Sequence, residues 1–384
     1  MMAMIDNSTK VQLVTFYLPQ FHPIPENDEW WGKGFTEWTN VARAVPRFRG
    51  HYQPHLPADL GFYDLRLAEA RQAQASLAEG YGVSGFCYYH YWFRGRRLLE
   101  RPFDEVLLSG EPDFPFCLCW ANENWTRRWD GQEREVLLAQ HYGPADDIHH
   151  IRSLASAFVD PRYIRLDGKP LFLVYRPGLL PDPAATAGRW REEYFRLTGE
   201  ELFLCRVTRV PEEMGEPAAS GFDAAVEFHP FRPLLGHPLP DGLIGRAAGR
   251  LRRLLSLPGR YGGQTVYDYR KYVERALAAE PPKHSNIPCV FPSWDNSARL
   301  KEAGVFINST PALYERWLAA AIQQAQAHPV GGKALVFINA WNEWAEGAHL
   351  EPCQRWGRAY LEATLAARQA SCPKQSNKQL ETAG

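Results

Sequence analysis

A chain of 384 residues with 45% hydrophobic content can fill one large core, and its formal charge of −1 gives no electrostatic footprint for nucleic acid. Seven cysteines without regular spacing argue against a disulfide framework, and no apolar run approaches the ~20 residues that span a bilayer. "MMAMIDNSTKVQLVTFYLPQF" at the start has no basic region followed by an apolar stretch, so a soluble cytoplasmic protein is the expectation.

Short runs rich in Val, Ile, Phe and Tyr recur along the chain, each read as a buried strand. In order they are "VQLVTFYLPQF" (11–21), "VSGFCYYHYWF" (83–93), "FPFCLCWANEN" (114–124) and "PLFLVYRP" (170–177). Then come "LFLCRV" (202–207), "DAAVEFHP" (223–230), "IPCVFPSWD" (287–295) and "ALVFINAWNEW" (334–344). Between them lie stretches with helical spacing at 64–82, 145–159, 184–200 and 311–328. Eight strands alternating with helices predict a single (β/α)8 TIM barrel, with a doubly wound sheet as the alternative; no GxGxxG follows the first strand to favour the latter. Two segments fall outside the alternation: a long Trp-rich first βα loop at 22–60 and an insertion after strand six at 231–265. One catalytic domain is expected over 11–370, followed by a polar, disordered tail over 371–384. Arg246, Arg250 and Arg253 in the insertion share a helix face, which reads as a solvated face or a peripheral contact with an anionic membrane or lipid-linked substrate. Cys117 and Cys119 share a strand face without a second CxxC or nearby His, so neither metal nor cofactor is expected.

In such a barrel the active site lies at the carboxyl ends of the strands. The first loop places Trp30, Trp31, Glu37 and Trp38 there, and the second strand ends in Tyr89, His90 and Trp92. Strand three brings Asn122, Glu123, Trp125, Arg128 and Trp129, and strand four Tyr175. Strand six supplies Glu227 and His229, strand seven Trp294 and Asp295, and strand eight Asn342, Glu343, Trp344 and Glu346. Ten of the 13 tryptophans sit at or just past these ends, with Trp190, Trp317 and Trp356 assigned to helices. Tryptophans among carboxylates and amides suit a groove that stacks pyranose faces while hydrogen-bonding hydroxyls, so these residues are read as substrate-binding. Single residues among them have plain structural readings too: Glu37 or Glu351 as solvated loop carboxylates, and His90 as a satisfied core histidine.

Glycosidic chemistry needs two carboxyl groups flanking one bond. Glu343 and Glu346 are three apart where the eighth strand should turn, so both can face the cleft, and two neighbouring carboxylates tend to keep one proton near neutrality. They are the catalytic candidates, with Trp341 and Trp344 expected to line the sugar site and Glu351 left as rim or structure.

"FYLPQFHPIPENDEWWGKGFTEWTNVARAVPRFRGHYQPHLP", "WANENWTRRWDG" and "NAWNEWAEGAHLEP" resemble the WbsX-like proteins of bacterial surface-polysaccharide clusters, which are similar to the endo-α-mannosidase family of glycoside hydrolases (family ninety-nine). The resemblance implies a (β/α)8 barrel and retaining cleavage of an α-mannosidic bond without an enzymic nucleophile. It puts the base that deprotonates the sugar 2-hydroxyl on Glu343 and the acid/base on Glu346, through a 1,2-anhydro sugar. Ala345 stands where the hydrolase pattern has a His. Three functions follow for comparison: hydrolase or transglycosylase on mannose-like residues, glycosyltransferase in O-antigen or capsule assembly, and non-catalytic glycan-binding barrel. No Asp-x-Asp occurs, which disfavours a metal-dependent sugar-nucleotide transferase. A double displacement with Glu123 as acid and Glu343 as nucleophile is the mechanistic alternative. The partner is an oligosaccharide or polysaccharide.

Overall fold

A computed structural model describes residues 11–127, 132–210, 215–239 and 260–371. Arg128, Trp129, the arginines at 246, 250 and 253, and the tail from 372 onward lie outside the described residues.

Among the described residues each of the eight apolar runs contributes a strand to one parallel sheet. These are β1 (Gln12–Tyr17), β2 (Gly85–Phe93), β3 (Phe116–Trp120), β4 (Lys169–Val174), β5 (Phe203–Thr208), β6 (Ala224–Glu227), β7 and β8 (Leu335–Ile338). Strand β7 consists of two short pieces, Asn286–Ile287 and Cys289–Val290, on either side of Pro288. The order runs from β1 through β6 in one direction and from β1 to β8 in the other. Closure falls to β7: its first piece pairs with β6 and its second with β8. Proline has no N–H to give a ladder, so the strand breaks there, while the Pro288 carbonyl still accepts Phe337 N–H at 2.9 Å. The result is a closed (β/α)8 barrel.

Barrel strands are covered on both faces, and β2, GFCYYHYWF, is buried at every position. Its period of two still sorts the side chains. Tyr89 stacks on Phe16 of β1 inside the barrel, whereas His90 and Trp92 stack on His150 of an outer helix.

The first βα loop carries α1 (Pro25–Trp31) and α2 (Glu37–Arg43) before the outer helix α3 (Ala68–Gly80). Further outer helices are α4 (Arg101–Ser109), α5 (Pro144–Phe158), α6 (Pro183–Thr198), α7 (Tyr269–Ala278), α8 (Pro311–Ala327) and α9 (Ala359–Ala370). A 3-10 turn, Pro217–Ser220, stands in place of a helix between β5 and β6. Local sequence sets the starts. Asp182 accepts from Ala185 N–H ahead of Pro183, Asp268 from Lys271 N–H, and Thr310 from Leu313 N–H ahead of Pro311. The insertion after β6 returns to the body as the strand Thr265–Asp268, paired in parallel with Gly304–Ile307.

Under the eighth βα loop a carboxyl group acts as a structural hub. Glu351 is 2% exposed and accepts from Tyr63 Oη at 2.8 Å, Gln74 Nε2 at 2.7 Å and Trp344 Nε1 at 2.6 Å. Gln74 in turn accepts from Tyr17 Oη, so β1, α3, the first loop and the eighth loop meet on one side chain. Burial pushes Glu351 up to about 7, against the pull of its donors. Replacing Glu351 by Ala strands three buried donors, at about 1–3 kcal/mol each, so urea unfolding at pH 6 should show a loss of at least about 3 kcal/mol. Because the folded-state pKa is raised, this group's contribution is complete below the ordinary carboxylate range and is lost as pH rises through about 7. The stability gap between the native chain and Glu351→Gln should therefore shift against the native chain between pH 5 and pH 8.

Candidate active site

Beyond β8 the chain makes a compact turn. Asn342–Glu343 pairs antiparallel with Ala348–His349, and the 3-10 turn Trp344–Glu346 lies between them. Gly347 closes the turn at φ 58°, and a Cβ there would sit 3.0 Å from the backbone nitrogen of Asp295, so only glycine fits. Asp295 N–H donates to the Glu346 carbonyl at 2.6 Å, and Ser293 Oγ donates to the Gly347 carbonyl. The loops after β7 and β8 are thereby locked together by backbone.

Both carboxylates of this turn meet one cation. Arg299, from the loop after β7, reaches Glu343 Oε2 at 3.0 Å and Glu346 Oε1 at 2.8 Å. Its guanidinium also holds Glu37 Oε2 through Nη2 at 2.5 Å and Nε at 2.9 Å. Glu37 opens α2, where its backbone N–H is held by the Gln20 carbonyl; the side chain is fully buried and also accepts from Asn40. Burial alone would weaken the arginine's charge, but the three carboxylates hold its pKa well above the ordinary value. Burial pushes Glu343 up to about 8; Glu346 and Glu37 add to this and Arg299 opposes it. Glu346 is the more open of the pair, with its side chain 24% exposed against 7% for Glu343. One carboxyl therefore lies deep and holds its proton to high pH, and the other faces water.

Tyr89 and Tyr91 of β2 lie within electrostatic reach of Glu343. From Tyr91 an aromatic row leads outward: its ring packs edge-on to Trp125, which packs edge-on to Trp30. Nearby, Arg127 lies over the Trp31 ring. Across the mouth Tyr175 packs against Tyr89 and Phe228, under the Arg209 guanidinium. Glu123 pairs with Arg176 at 2.5 Å and lies 3.9 Å from Arg209. At the end of β6, burial raises Glu227 to about 7, and His229 Nε2 stands 3.7 Å from it. Tyr272 Oη accepts Phe231 N–H at 2.7 Å and meets His229 Nδ1 at 2.6 Å; burial lowers this imidazole to about 3.

Other residues read as sugar-facing have structural work instead. Trp38 is packed between Phe21, Tyr63 and Trp344, with its Nε1 on the Tyr63 carbonyl. Trp344 donates to Glu351 and stacks on His349 at 3.8 Å, and Trp341 is fully buried against Phe86. His90 and Trp92 pack under α5, where Trp92 Nε1 donates to Asp146, because odd positions of β2 face the barrel and even ones the helices. Asn122 clamps Arg176 through both backbone groups, and Asn342 clamps Leu18 in the same way. Asp295 accepts from His51 Nε2 at 2.7 Å and Gln53 Nε2 at 2.8 Å; despite burial, His51 holds its carboxyl below the usual range. Trp356 lies in the loop before α9 rather than in a helix. Trp294 is half-buried beside Asp295 and faces a separate cavity.

Arg299 and Arg209 do not stand among the residues that the strand ends point to. For Arg299 a signal existed: several buried carboxylates at one rim require a cation, and "SWDNSARL" supplies one just past β7.

A family model described as Glycosyltransferase WbsX matches residues 13–364, and the chain belongs to that family. The uncharacterized protein WxcX of Xanthomonas campestris pv. campestris strain B100 is 47% identical over 358 residues, covering 92% of this chain and 49% of that protein. The chain thus spans about half the length of the curated relatives it matches. The GH99 endo-alpha-mannosidase from Bacteroides thetaiotaomicron aligns with a TM-score of 0.52 at 15% identity, covering 94% of this chain and 97% of that one. A solved glycoside hydrolase-like protein aligns with a TM-score of 0.56 at 16% identity, covering 93% of each chain. At these identities the structural likeness is one of fold. The comparisons thus show membership of a family described as a glycosyltransferase and a barrel shared with glycoside hydrolase structures.

Arg299→Met would leave three carboxylates crowded and two of them buried without a counter-charge, costing about 3–5 kcal/mol at pH 7. Arg299 is what lowers the already raised Glu343, so without it that carboxyl is pushed further up, and the variant is most stable in acid and loses stability as pH climbs. Chemical denaturation at pH 5 and pH 7.5 should show the deficit growing with pH; a pH-independent deficit would contradict this charge assignment.

Proposed function

We propose that this chain is a retaining α-glycoside hydrolase or transglycosylase acting on mannose-like residues of a bacterial surface polysaccharide or its precursor. The observation that carries the reading is the Glu343/Glu346 pair on one guanidinium at the end of β8, one buried and one open to water. Burial raises Glu343 to about 8, so once ionised it is a strong enough base for a hydroxyl proton, in the form of the pair that carries its single proton on Glu346. An acid that protonates a leaving group and then activates water needs solvent access, which Glu346 has.

In the proposed sequence Glu343 takes the proton of the 2-hydroxyl, and O2 attacks C1 as the bond from C1 to the leaving oxygen breaks. Glu346 delivers its proton to that oxygen. Glu346 then removes a proton from water, which attacks C1; the bond from C1 to O2 opens, and O2 recovers its proton from Glu343. Two inversions give net retention. Attack by O2 requires it to be trans to the leaving group, an arrangement that α-mannosides have, and this supports a mannose-like ring at the cleavage point. The Trp30, Trp125 and Tyr91 row offers flat faces for neighbouring sugars.

The family's description favours a second reading, a glycosyltransferase that moves a sugar from an activated donor to a saccharide hydroxyl, for which we propose lipopolysaccharide O-antigen or capsule assembly as the setting. Donor and acceptor both differ from those of the hydrolase reading. Among the described residues no helix is long and apolar enough to cross a membrane.

Glu343→Gln and Glu346→Gln should each lower turnover of an α-mannoside panel by about 10²-fold or more, since each removes a proton-transfer partner. In the native chain kcat/KM should pass through a maximum with pH, because the reactive form carries one proton on the Glu343/Glu346 pair and both the doubly protonated and the fully ionised forms are inactive. A 2-deoxy substrate should not turn over. A 2-deoxy-2-fluoro glycosyl fluoride should leave the protein mass unchanged; a covalent adduct on Glu343 would establish double displacement instead. Turnover with nucleotide sugars alone would replace hydrolysis by transfer.

A further inference from the structure

A second cavity of about 760 Å³ opens beside the glutamate pair and is separated from it by the Ser293–Asp295 segment. Asp295 lines this cavity with its side chain while its backbone N–H holds the Glu346 carbonyl, so the two spaces share one wall. The volume lies within the range of about 300–1,000 Å³ that accommodates ligands larger than a single sugar.

The lining is unusually one-sided in charge. Arg49, Arg260, Arg270 and Arg355 border it, and none of the four forms an ion pair with a carboxylate of the described residues. Asp295 is the one acidic side chain among the lining residues, and His51 and Gln53 already occupy its oxygens. Aromatic faces alternate with the guanidinium groups: Trp294 and Trp356 line the wall, and Arg355 lies over Tyr52 at 4.6 Å. At the floor His55 and His349 hydrogen-bond one another at 3.1 Å, which fixes its shape. Guanidinium groups present a planar fork to carboxylate or phosphate, while indole faces take the CH side of a pyranose. Neither type alone defines a ligand; together they describe a sugar that carries a negative charge.

We propose that this cavity is a second glycan site that takes an acidic saccharide, with a pyranose face on Trp294 or Trp356 and a carboxylate or phosphate on Arg270 and Arg355. Placed one wall away from Glu346, it would hold an acidic residue of a polymer whose other part enters the cleft. The proposal does not depend on whether the cleft hydrolyses or transfers.

The test is calorimetric titration of the full chain with a uronic-acid trisaccharide, mannose 6-phosphate and neutral mannotriose. At least one acidic probe should bind about tenfold or more tighter than mannotriose, as charge-assisted contacts imply, and its advantage should shrink with added salt. Binding by the uronate alone or the phosphate alone identifies which anion the site reads. Arg270→Ala/Arg355→Ala, which removes two exposed side chains and leaves the core intact, should abolish the preference. Turnover of a neutral α-mannoside by that variant should stay within about twofold of native, as both side chains are exposed and neither pairs with Glu37, Glu343 or Glu346. Glu343→Gln/Glu346→Gln should retain the acidic-probe affinity while losing turnover, which separates this proposal from the catalytic one. Equal affinity for acidic and neutral probes, absence of binding, or a preference unaffected by the arginine pair would overturn it. So would a preference abolished by the glutamine pair, which would put the anion in the cleft.

Discussion

A guanidinium enclosed by three carboxylates is the interaction around which the carboxyl face of this barrel is assembled. Its partners come from two places, Glu37 from the first loop and Glu343 and Glu346 from the turn after β8, while Arg299 itself comes from the loop after β7. None of these groups could be buried alone, because an unpaired charge in a low-dielectric interior costs several kcal/mol. One cation among three acids still leaves the cluster short of positive charge. Burial, and then that shortage, keep a proton on Glu343 to high pH, so the arrangement that ties the loops together also sets the protonation of its deepest member.

The rim around the cluster is stitched by side-chain amides. Asn122 ties Arg176 to the end of β3, Asn342 ties Leu18 to the end of β8, and Asn339 Nδ2 holds the His229 carbonyl. Each substitutes for a ladder bond where a strand has ended and backbone groups would otherwise be orphaned. An amide can serve as donor and acceptor at once, which explains its recurrence where two irregular loops must run side by side.

The barrel was legible in the sequence because each of its strands is an apolar run of the right length, and α3, α5, α6 and α8 carry clear helical periods. What pattern could not supply was facing. "YYHYW" reads as one aromatic block, yet the pleat sends Tyr89 and Tyr91 to the cleft and His90 and Trp92 to α5. Tryptophans at strand ends looked alike as well, although Trp38, Trp341 and Trp344 pack into the core and Trp30 and Trp125 stay partly open. Facing past the end of a strand depends on tertiary hydrogen bonds such as Trp344 to Glu351, which no local period encodes. Arg299 was hidden for a related reason: it sits in a loop with no apolar pattern, and its role exists only through residues that are distant in sequence.

The divided seventh strand bears on where this barrel can yield. Each half of β7 meets its neighbour over two register pairs, whereas β1 and β8 share four and β4 and β5 share four. Pro288 therefore makes a buckle in a belt that is otherwise continuous. The loops that leave β7 and β8 carry Arg299, Glu343 and Glu346, so the cluster stands beside this seam. Elsewhere neighbouring strands pair over three positions or more, so any give in the ring falls at β7, beside the loops that hold the carboxyl cluster.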